Sequence, residues 1–351
     1  MKPLSHVEQV ANHLRTELQL GRWSGHMPGV FKLESELGIN HGILHRALCQ
    51  LEHEGILENQ GKGRRRRIVM QAQEATKLRI RILLYEKSDC TIHYLVELVH
   101  LLQEAGHDAA FADKALCDLG MNAGRIARFV ESREADAWVV ASGSQDVLEW
   151  FATQPKPAFA LFGRLVNVAL ASTSPKRAGV YVELVEQLVG LGHQRIVHLS
   201  REERRKPTIG FLERLFLDEL EKHGILTGAY NLPDWKESAE GLGDLLDSLF
   251  RHSPPTAMII DGATVFSATR NHLARRGILA PEHVSLVSLD PDPVFDWDIP
   301  AVTHMTWDHQ PLIRRVVKWA DNISRGKNDH RKSSVPARLV PGGTVGPAPE
   351  A

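Results

Sequence analysis

The chain has 351 residues, 42 of them basic (Lys and Arg) and 43 acidic, with 43% hydrophobic and 24% charged side chains and a formal net charge of -1. Such a mixture excludes a disordered chain, is long enough for more than one domain, and carries no global field toward nucleic acid or anionic lipid, so any polyanion binding has to come from a local patch. Cys49, Cys90 and Cys117 contain no C-x-x-C and read as small core residues of a reducing compartment. No apolar run approaches the ~20 residues of a membrane span and no leader is legible, so a cytoplasmic protein with no membrane partner is expected.

Ser5 and Glu8 form an S-x-x-E capping box, and Val7, Val10, Ala11, Leu14 and Leu18 follow at helical spacing, which predicts a helix over Ser5 to Leu20. The stretch GRWSGHMPG breaks it. Leu33 and Leu37 mark a second helix ending at Gly38, and Asn40 can cap a third that puts Leu44, Ala47, Leu48 and Leu51 on one face and ends at Gly55. Two short helices on a tight turn, the second with polar and cationic groups near its start, form a helix-turn-helix pattern whose second helix fits the major groove of double-stranded DNA. The candidate contacts on that helix are Asn40, His41, Gly42, His45 and Arg46.

ILEN, the turn QGKG and RRRRIV then predict a β-hairpin in which the arginines alternate between its two faces. Lys62, Arg64 and Arg65, nearest the tip, are the candidate phosphate contacts. From Met27 to Ile68 the chain resembles the winged helix-turn-helix of GntR-type bacterial transcription regulators: Pro28-Gly29, Leu37-Gly38, Ala47-Leu48, Leu51-Glu52 and Glu54-Gly55 carry the match. It departs where the family reads Ser-Arg-x-Thr-Val-Arg, for here stand Asn40, His41, Gly42, Ile43, Leu44 and His45. With an imidazole reference value of about 6.5, that exchange predicts DNA affinity rising on acidification through the neutral range, and the arginine-rich wing offsets the lost fixed charge.

After a polar linker over residues 70–77 the texture changes. LRIRILLYEKSD, DAWVVASGS, KPAFALFGR, QRIVHLS, TAMIIDG and HVSLVSLD are short apolar runs alternating with helical patterns that end on Gly106, Gly192, Gly224 and Gly277, as parallel βαβ units do. Ligands of such sheets bind beyond the carboxyl ends of the strands. That rule selects Ser88 and Asp89, Ser142 and Ser144, Arg164, Ser200 and Arg201, Asp261 and Asp290, groups suited to a polyol or sugar, with Trp235 or Trp297 as an apolar platform.

GVYVELVEQLVGLGHQRIVHLS, GFLERLFLDELEKHGI and RRGILAPEHVSLVSLD resemble the effector domain of LacI/GalR-type regulators, with VPARLVPGGTVGP as its closing strand. The resemblance runs from about Leu78 to Pro347. It implies two α/β lobes joined by three crossovers, with a small-molecule effector, a sugar or related metabolite, between them. Pro207 ahead of Gly210-Phe211, Asp261-Gly262 and Ser174 replace the family's usual sugar clamps, so either the ligand is not a simple sugar or it has been lost.

The expected class is therefore α/β: a winged helix-turn-helix over residues 1–69, the linker, and over 78–351 a two-lobed periplasmic-binding-protein-like domain with parallel sheets. The expected function is that of a homodimeric regulator whose operator binding is controlled by the effector. A solute-binding protein and an enzyme are the competing classes. The α/β region has no Gly-x-Ser-x-Gly elbow, P-loop or G-x-G-x-x-G. No catalytic residue, metal or cofactor is expected; the nearest metal-like grouping, His304, Asp308 and His309, lacks an H-E-x-x-H.

Overall fold

The capping box at Ser5 forms reciprocally, Ser5 N donating to Glu8 Oε2 at 2.7 Å and Glu8 N to Ser5 Oγ at 3.3 Å, and it opens α1 (His6–Gln19). A computed structural model describes residues 5–19, 22–23, 25–61, 63–69, 76–165 and 167–350. The chain divides into two compact units, Met1–Leu78 with Lys318–Asp329, and Arg79–Val317 with His330–Ala351.

In the first unit α2 (Val30–Leu37) ends on Gly38, whose φ of 63° is the left-handed conformation that a glycine adopts without strain. Asn40 then caps α3 (His41–His53), its side chain accepting from Gly42 N at 2.9 Å. Leu44, Ala47, Leu48 and Leu51 of α3 pack with Ala11, Leu14, Leu33, Met27 and Leu57 into one core. The expected hairpin is shorter than its arginine run. Only β1 (Leu57–Glu58) and β2 (Arg67–Ile68) pair, antiparallel, and residues 25–27 lie along the other side of β2 through Met27 N to Arg66 O and Ile68 N to Gly25 O, each 2.9 Å. Arg64 and Arg65 therefore sit in the connecting loop, not on alternating faces of a strand.

The second unit begins with β3 (Arg79–Leu83), α4 (His93–Glu104), β4 (Asp108–Phe111), α5 (Ala123–Glu131), β5 (Ala137–Ala141), α6 (Gln145–Ala152), β6 (Ala158–Leu161) and β7 (Ala171–Lys176). It continues through α7 (Ala178–Gly190), β8 (Ile196–Leu199), α8 (Glu202–Arg205), α9 (Phe211–Lys222), α10 (Ala239–His252), β9 (Ala257–Ile260), α11 (Ala263–Ala274), β10 (Ser285–Ser288), β11 (Thr303–Trp307), the start of α12 (Gln310–Ser324), whose residues from Lys318 on count with the first unit, and β12 (Lys332–Val340).

The strands form a single ten-stranded sheet in the order β4-β3-β5-β6-β7-β12-β11-β10-β9-β8. β12 spans its middle: Lys332 to Pro336 pair parallel with β7, and Ala337 to Val340 pair antiparallel with β11. All other neighbours within this sheet are parallel, so the sheet is mixed, and the closing strand read from VPARLV is the element that mixes it. Two separate apolar clusters fill the two sides. One is built on Trp138, Val140, Phe151 and Ala160, the other on Val197, Met258, Ile260 and Leu286. Each half of the sheet thus carries its own lobe.

One departure concerns the cysteines. None of the cysteines is a core residue: Cys49 and Cys90 are half-buried and Cys117 is exposed. Among the described residues no helix is long and apolar enough to cross a membrane.

Candidate functional site

The loops beyond the carboxyl ends of the strands meet at one place, where the two lobes face each other. Close packing there is visible in the backbone. Ser142 after β5 and Phe162 after β6 hold φ of 57° and 65°, values that side chains rarely adopt. A Cβ on Gly163 would come within 2.6 Å of Gly143 O, so the β5 and β6 loops approach as closely as only glycine permits.

At the base of this cleft lies Arg177, directly after β7 and only 8% exposed. Its Nη2 donates to Asp290 Oδ1 at 3.1 Å, its Nη1 is 3.8 Å from Asp261 Oδ1, and its guanidinium lies 4.9 Å from the centre of the Trp307 ring. Asp261, 3% exposed, also meets Arg204 Nε at 3.1 Å. Burial by itself would push the Asp261 carboxyl up, yet Arg204 and then Arg177 hold it below the usual carboxylate range. Asp290 accepts in addition from Gly262 N at 3.0 Å.

A second network crosses between the lobes. Arg201, after β8, donates to Glu237 at 3.2 Å, reaches Glu86 of the other lobe at 3.5 Å and lies over the Tyr85 ring at 5.0 Å. Tyr85 Oη stands 2.9 Å from both Glu203 Oε2 and Glu237 Oε2. One hydroxyl has one proton, so both contacts are satisfied only when one of these carboxyls is itself protonated. Burial pushes the Glu203 carboxyl up to about 7, toward its protonated form. Arg164, after β6, donates across the same gap to the carbonyls of Glu203, Lys206 and Thr208 at 3.0 to 3.3 Å.

The third component is aromatic. Tyr94 stacks on His309 at 4.4 Å and meets Phe162 edge-on at 6.3 Å, and Trp307 lies 6.1 Å from Phe162 and 5.6 Å from His309. Buried carboxylates held by arginines, beside a wall of aromatic faces, can hydrogen-bond hydroxyls and stack on an apolar ring face, the combination a polyol needs.

Of the sequence-predicted ligand residues, Arg164, Arg201, Asp261 and Asp290 come together here. Asp89 is nearby, its Oδ2 accepting from Glu86 N at 3.2 Å, and burial raises its carboxyl to about 6. Ser144 caps α6 by accepting from Val147 N at 3.4 Å, Ser142 has its amide on Leu161 O, and Ser88 is exposed with its carbonyl on Thr91 Oγ1. Ser200 is buried, its hydroxyl on Glu213. Neither expected platform serves: Trp235 is buried with its Nε1–H on Ser200 O at 3.1 Å, and Trp297 is 86% exposed on the surface. The ring in the cleft is Trp307. Arg177, Tyr85, Glu203, Glu237, Arg204 and Tyr94 went unnamed in the sequence, although Arg177 ends a strand as the others do.

The burial of Glu203 has a pH consequence. A carboxyl whose folded value is raised above its unfolded one contributes stability that is full below the unfolded value and is lost as pH rises through the folded value. For Glu203 that window runs from about 4.3 to about 7, and Asp89, raised to about 6, overlaps its lower part. Melting temperature should therefore fall as pH rises from about 4.5 to about 7 and level off above it, and Glu203→Gln should flatten the upper part of that fall. A variant retaining the wild-type slope would remove Glu203 from the network.

In the first unit α3 presents His41, Gly42, His45 and Arg46 on its exposed face. His41 Nδ1 is 2.8 Å from Glu34 Oε1 and its ring lies 6.3 Å from that of His45; Arg46 Nε donates to Gly42 O at 3.2 Å. Asn40, also expected to touch DNA, has its side-chain oxygen on Gly42 N as the helix cap. The four arginines differ. Arg66 is ion-paired with Glu52, Arg67 lies 3.7 Å from Glu58, and Arg64 and Arg65 are exposed with no ion pair among the described residues. Lys62 lies outside the described residues.

A family model of the periplasmic binding protein-like domain matches residues 185–345. Among solved structures, the chain is similar to a LacI family transcriptional regulator of Enterococcus faecium with bound ribose, at 17% identity and a TM-score of 0.61 over 76% of this chain and 98% of that one. It is similar also to the transcription regulator CcpA of Lactococcus lactis, at 11% identity and a TM-score of 0.63 over 77% and 99%. The Escherichia coli transcriptional repressor ascG gives 17% identity and 0.56 over 76% and 99%. Nothing among the curated proteins matches. The fold of these regulators, which are not enzymes, is the fold of the second unit.

Proposed function

We propose that this chain is a sequence-specific bacterial DNA-binding transcription regulator: residues 1–69 act as a winged helix-turn-helix, residues 70–77 as the linker, and residues 78–351 as an effector-binding domain. The observation that carries the reading is the pairing, on one chain, of the periplasmic-binding-protein-like fold with a three-helix unit whose exposed α3 face adjoins a loop holding two unneutralised arginines. His41, Gly42, His45 and Arg46 would enter the major groove, and Lys62, Arg64 and Arg65 would meet phosphates. Asn40 contributes as the cap that leaves the α3 amino terminus open to a phosphate.

The effector is a polyol of sugar size, bound by Asp261, Asp290, Arg201, Arg164 and the Trp307 face; ribose in the Enterococcus faecium regulator supports this class. As a homodimer the protein would place two such units on a pseudo-palindromic operator. Selection from a pool of random duplexes by the full chain should enrich a two-fold-related motif. Pentoses and hexoses screened by thermal shift should raise the melting temperature, because a ligand that binds only the folded state stabilises it. Asp290→Asn should then abolish the effect of that ligand on DNA affinity while the affinity itself stays within about twofold, since coupling is reciprocal between linked sites. Enrichment of no motif would overturn the regulator reading.

One observation favours a second reading of the cleft. Tyr85, Glu86, Arg201, Glu203 and Glu237 satisfy one another across the lobes, so the closed arrangement can be held by the protein itself without an effector. A selected operator motif together with no thermal shift from any sugar would decide for it.

A further inference from the structure

Phe31 is an aromatic side chain held in the open. It is the second residue of α2 and 80% exposed, whereas Leu33 is fully buried and Val30 and Leu37 pack on the core of the first unit. The helix turns its apolar stripe inward and carries Phe31 outside that stripe, so packing gives no reason for a phenyl ring there. A single exposed apolar residue is common and by itself points to nothing. The neighbours of this one point to a role.

The Phe31 ring lies 5.8 Å from that of His41, the first residue of α3, and the His41 ring lies 6.3 Å from that of His45, one turn further on. Three rings thus follow one another from α2 onto the start of α3. The surface they share is the exposed face already read as the one that enters the major groove, and Arg46, also exposed, gives it positive charge. The Glu34 carboxylate, the acidic group against these rings, is taken up by His41 Nδ1 at 2.8 Å.

Residues near the amino end of a recognition helix are the ones that reach base edges. On the major-groove edge the bases offer donors and acceptors, and thymine alone adds an apolar group, its C5-methyl. A phenyl ring pressed on a donor or acceptor would strip it of water and return no hydrogen bond. Pressed on the methyl, it takes two apolar surfaces out of water together.

We propose that Phe31 is a specificity-determining residue whose ring packs on the C5-methyl group of a thymine in the operator half-site, beside the base contacts of α3. The inference rests on the reading of residues 1–69 as the DNA-binding unit. It adds a reading residue outside α3 and the wing, and names the base that residue selects.

Deoxyuridine differs from thymidine by that methyl group alone, which supplies the test. The motif enriched from random duplexes by the full chain is remade with each thymine of either strand replaced in turn by deoxyuridine, and affinities are measured by anisotropy. At one thymine of the half-site the exchange should weaken wild-type binding about fourfold, the worth of one methyl group in contact. Phe31→Ala should bind the thymine duplex more weakly and lose the discrimination at that position, and Phe31→Leu, still apolar, should keep it. Both variants should melt as wild type does, because the side chain is exposed. An enriched motif whose thymines all tolerate the exchange overturns the proposal and leaves the DNA-binding reading standing, and so does Phe31→Ala discriminating as wild type does. Enrichment of no motif overturns both.

Discussion

Arg177→Met should lower the melting temperature of the second unit by roughly 10 °C at neutral pH, the largest loss expected of a single substitution in this chain. Removing one partner of a buried pair costs about 3–5 kcal/mol because the other charge stays buried, and about 2–4 °C per kcal/mol applies to a unit of this size. Asp261, at 3% exposure, is the charge left behind, with Arg204 as its remaining partner. The pH dependence identifies the cause. Asp261 has a lowered folded value, so its contribution is present above the unfolded carboxylate value and disappears as pH falls through the folded one. The deficit of Arg177→Met should accordingly shrink on acidification, as wild type loses the same contribution. Adding Asp261→Asn should recover part of the loss at neutral pH, since an amide does not need the cation. Scanning calorimetry of the wild type and the two variants is the measurement, and a double variant no more stable than the single one would show that Arg177 acts through its packing on Trp307 instead.

That Arg177 escaped a reading of the sequence has a physical reason. The strand before it, β7, reads ASTSPK: small, hydroxylic and interrupted by proline, with none of the apolar density that marks β5 or β9. Ser172 and Thr173 are nonetheless buried, because β7 lies between β6 and β12, and Thr173 Oγ1 accepts from Ser333 Oγ at 3.0 Å. Burial of hydroxyls by mutual hydrogen bonding leaves no hydrophobic signature. β11, THMTW, was hidden by alternation of a different kind and took Trp307 out of view with it. The strands that are apolar throughout were legible, and so were Arg201, Asp261 and Asp290 at their ends.

Local chemistry was read well where it closes within a few residues. The Ser5–Glu8 box, the Asn40 cap, the left-handed Gly38 and the buried stripe of α3 all depend on spacings shorter than two helical turns. The arginine run was not, because what separates Arg64 and Arg65 from Arg66 and Arg67 is tertiary: Glu52 on α3 takes Arg66, and pairing of β2 with β1 and with residues 25–27 fixes Arg67. A run that looks uniform as a sequence is divided by the fold into two fixed arginines and two free ones.

Replacing those two free arginines, Arg64→Ala with Arg65→Ala, should weaken DNA binding by roughly tenfold each at about 0.1 M salt, alike for selected and unselected duplexes. Each arginine that neutralises a phosphate releases condensed counterion, so log affinity against log salt should lose about 0.9 of slope per residue, or about 1.8 for the pair. Fold stability should not follow, since both side chains are exposed and without ion pairs among the described residues. Arg66→Ala is the informative contrast. It breaks the half-buried pair with Glu52, so it should lower the melting temperature of the first unit while leaving the salt slope close to wild type. His45→Ala, on the exposed face of α3, should instead reduce discrimination between selected and unselected duplexes, because a groove-facing side chain reads bases where the loop reads backbone. Anisotropy titrations across a salt series separate these outcomes, and an unchanged slope in the double arginine variant would remove the loop from the DNA interface.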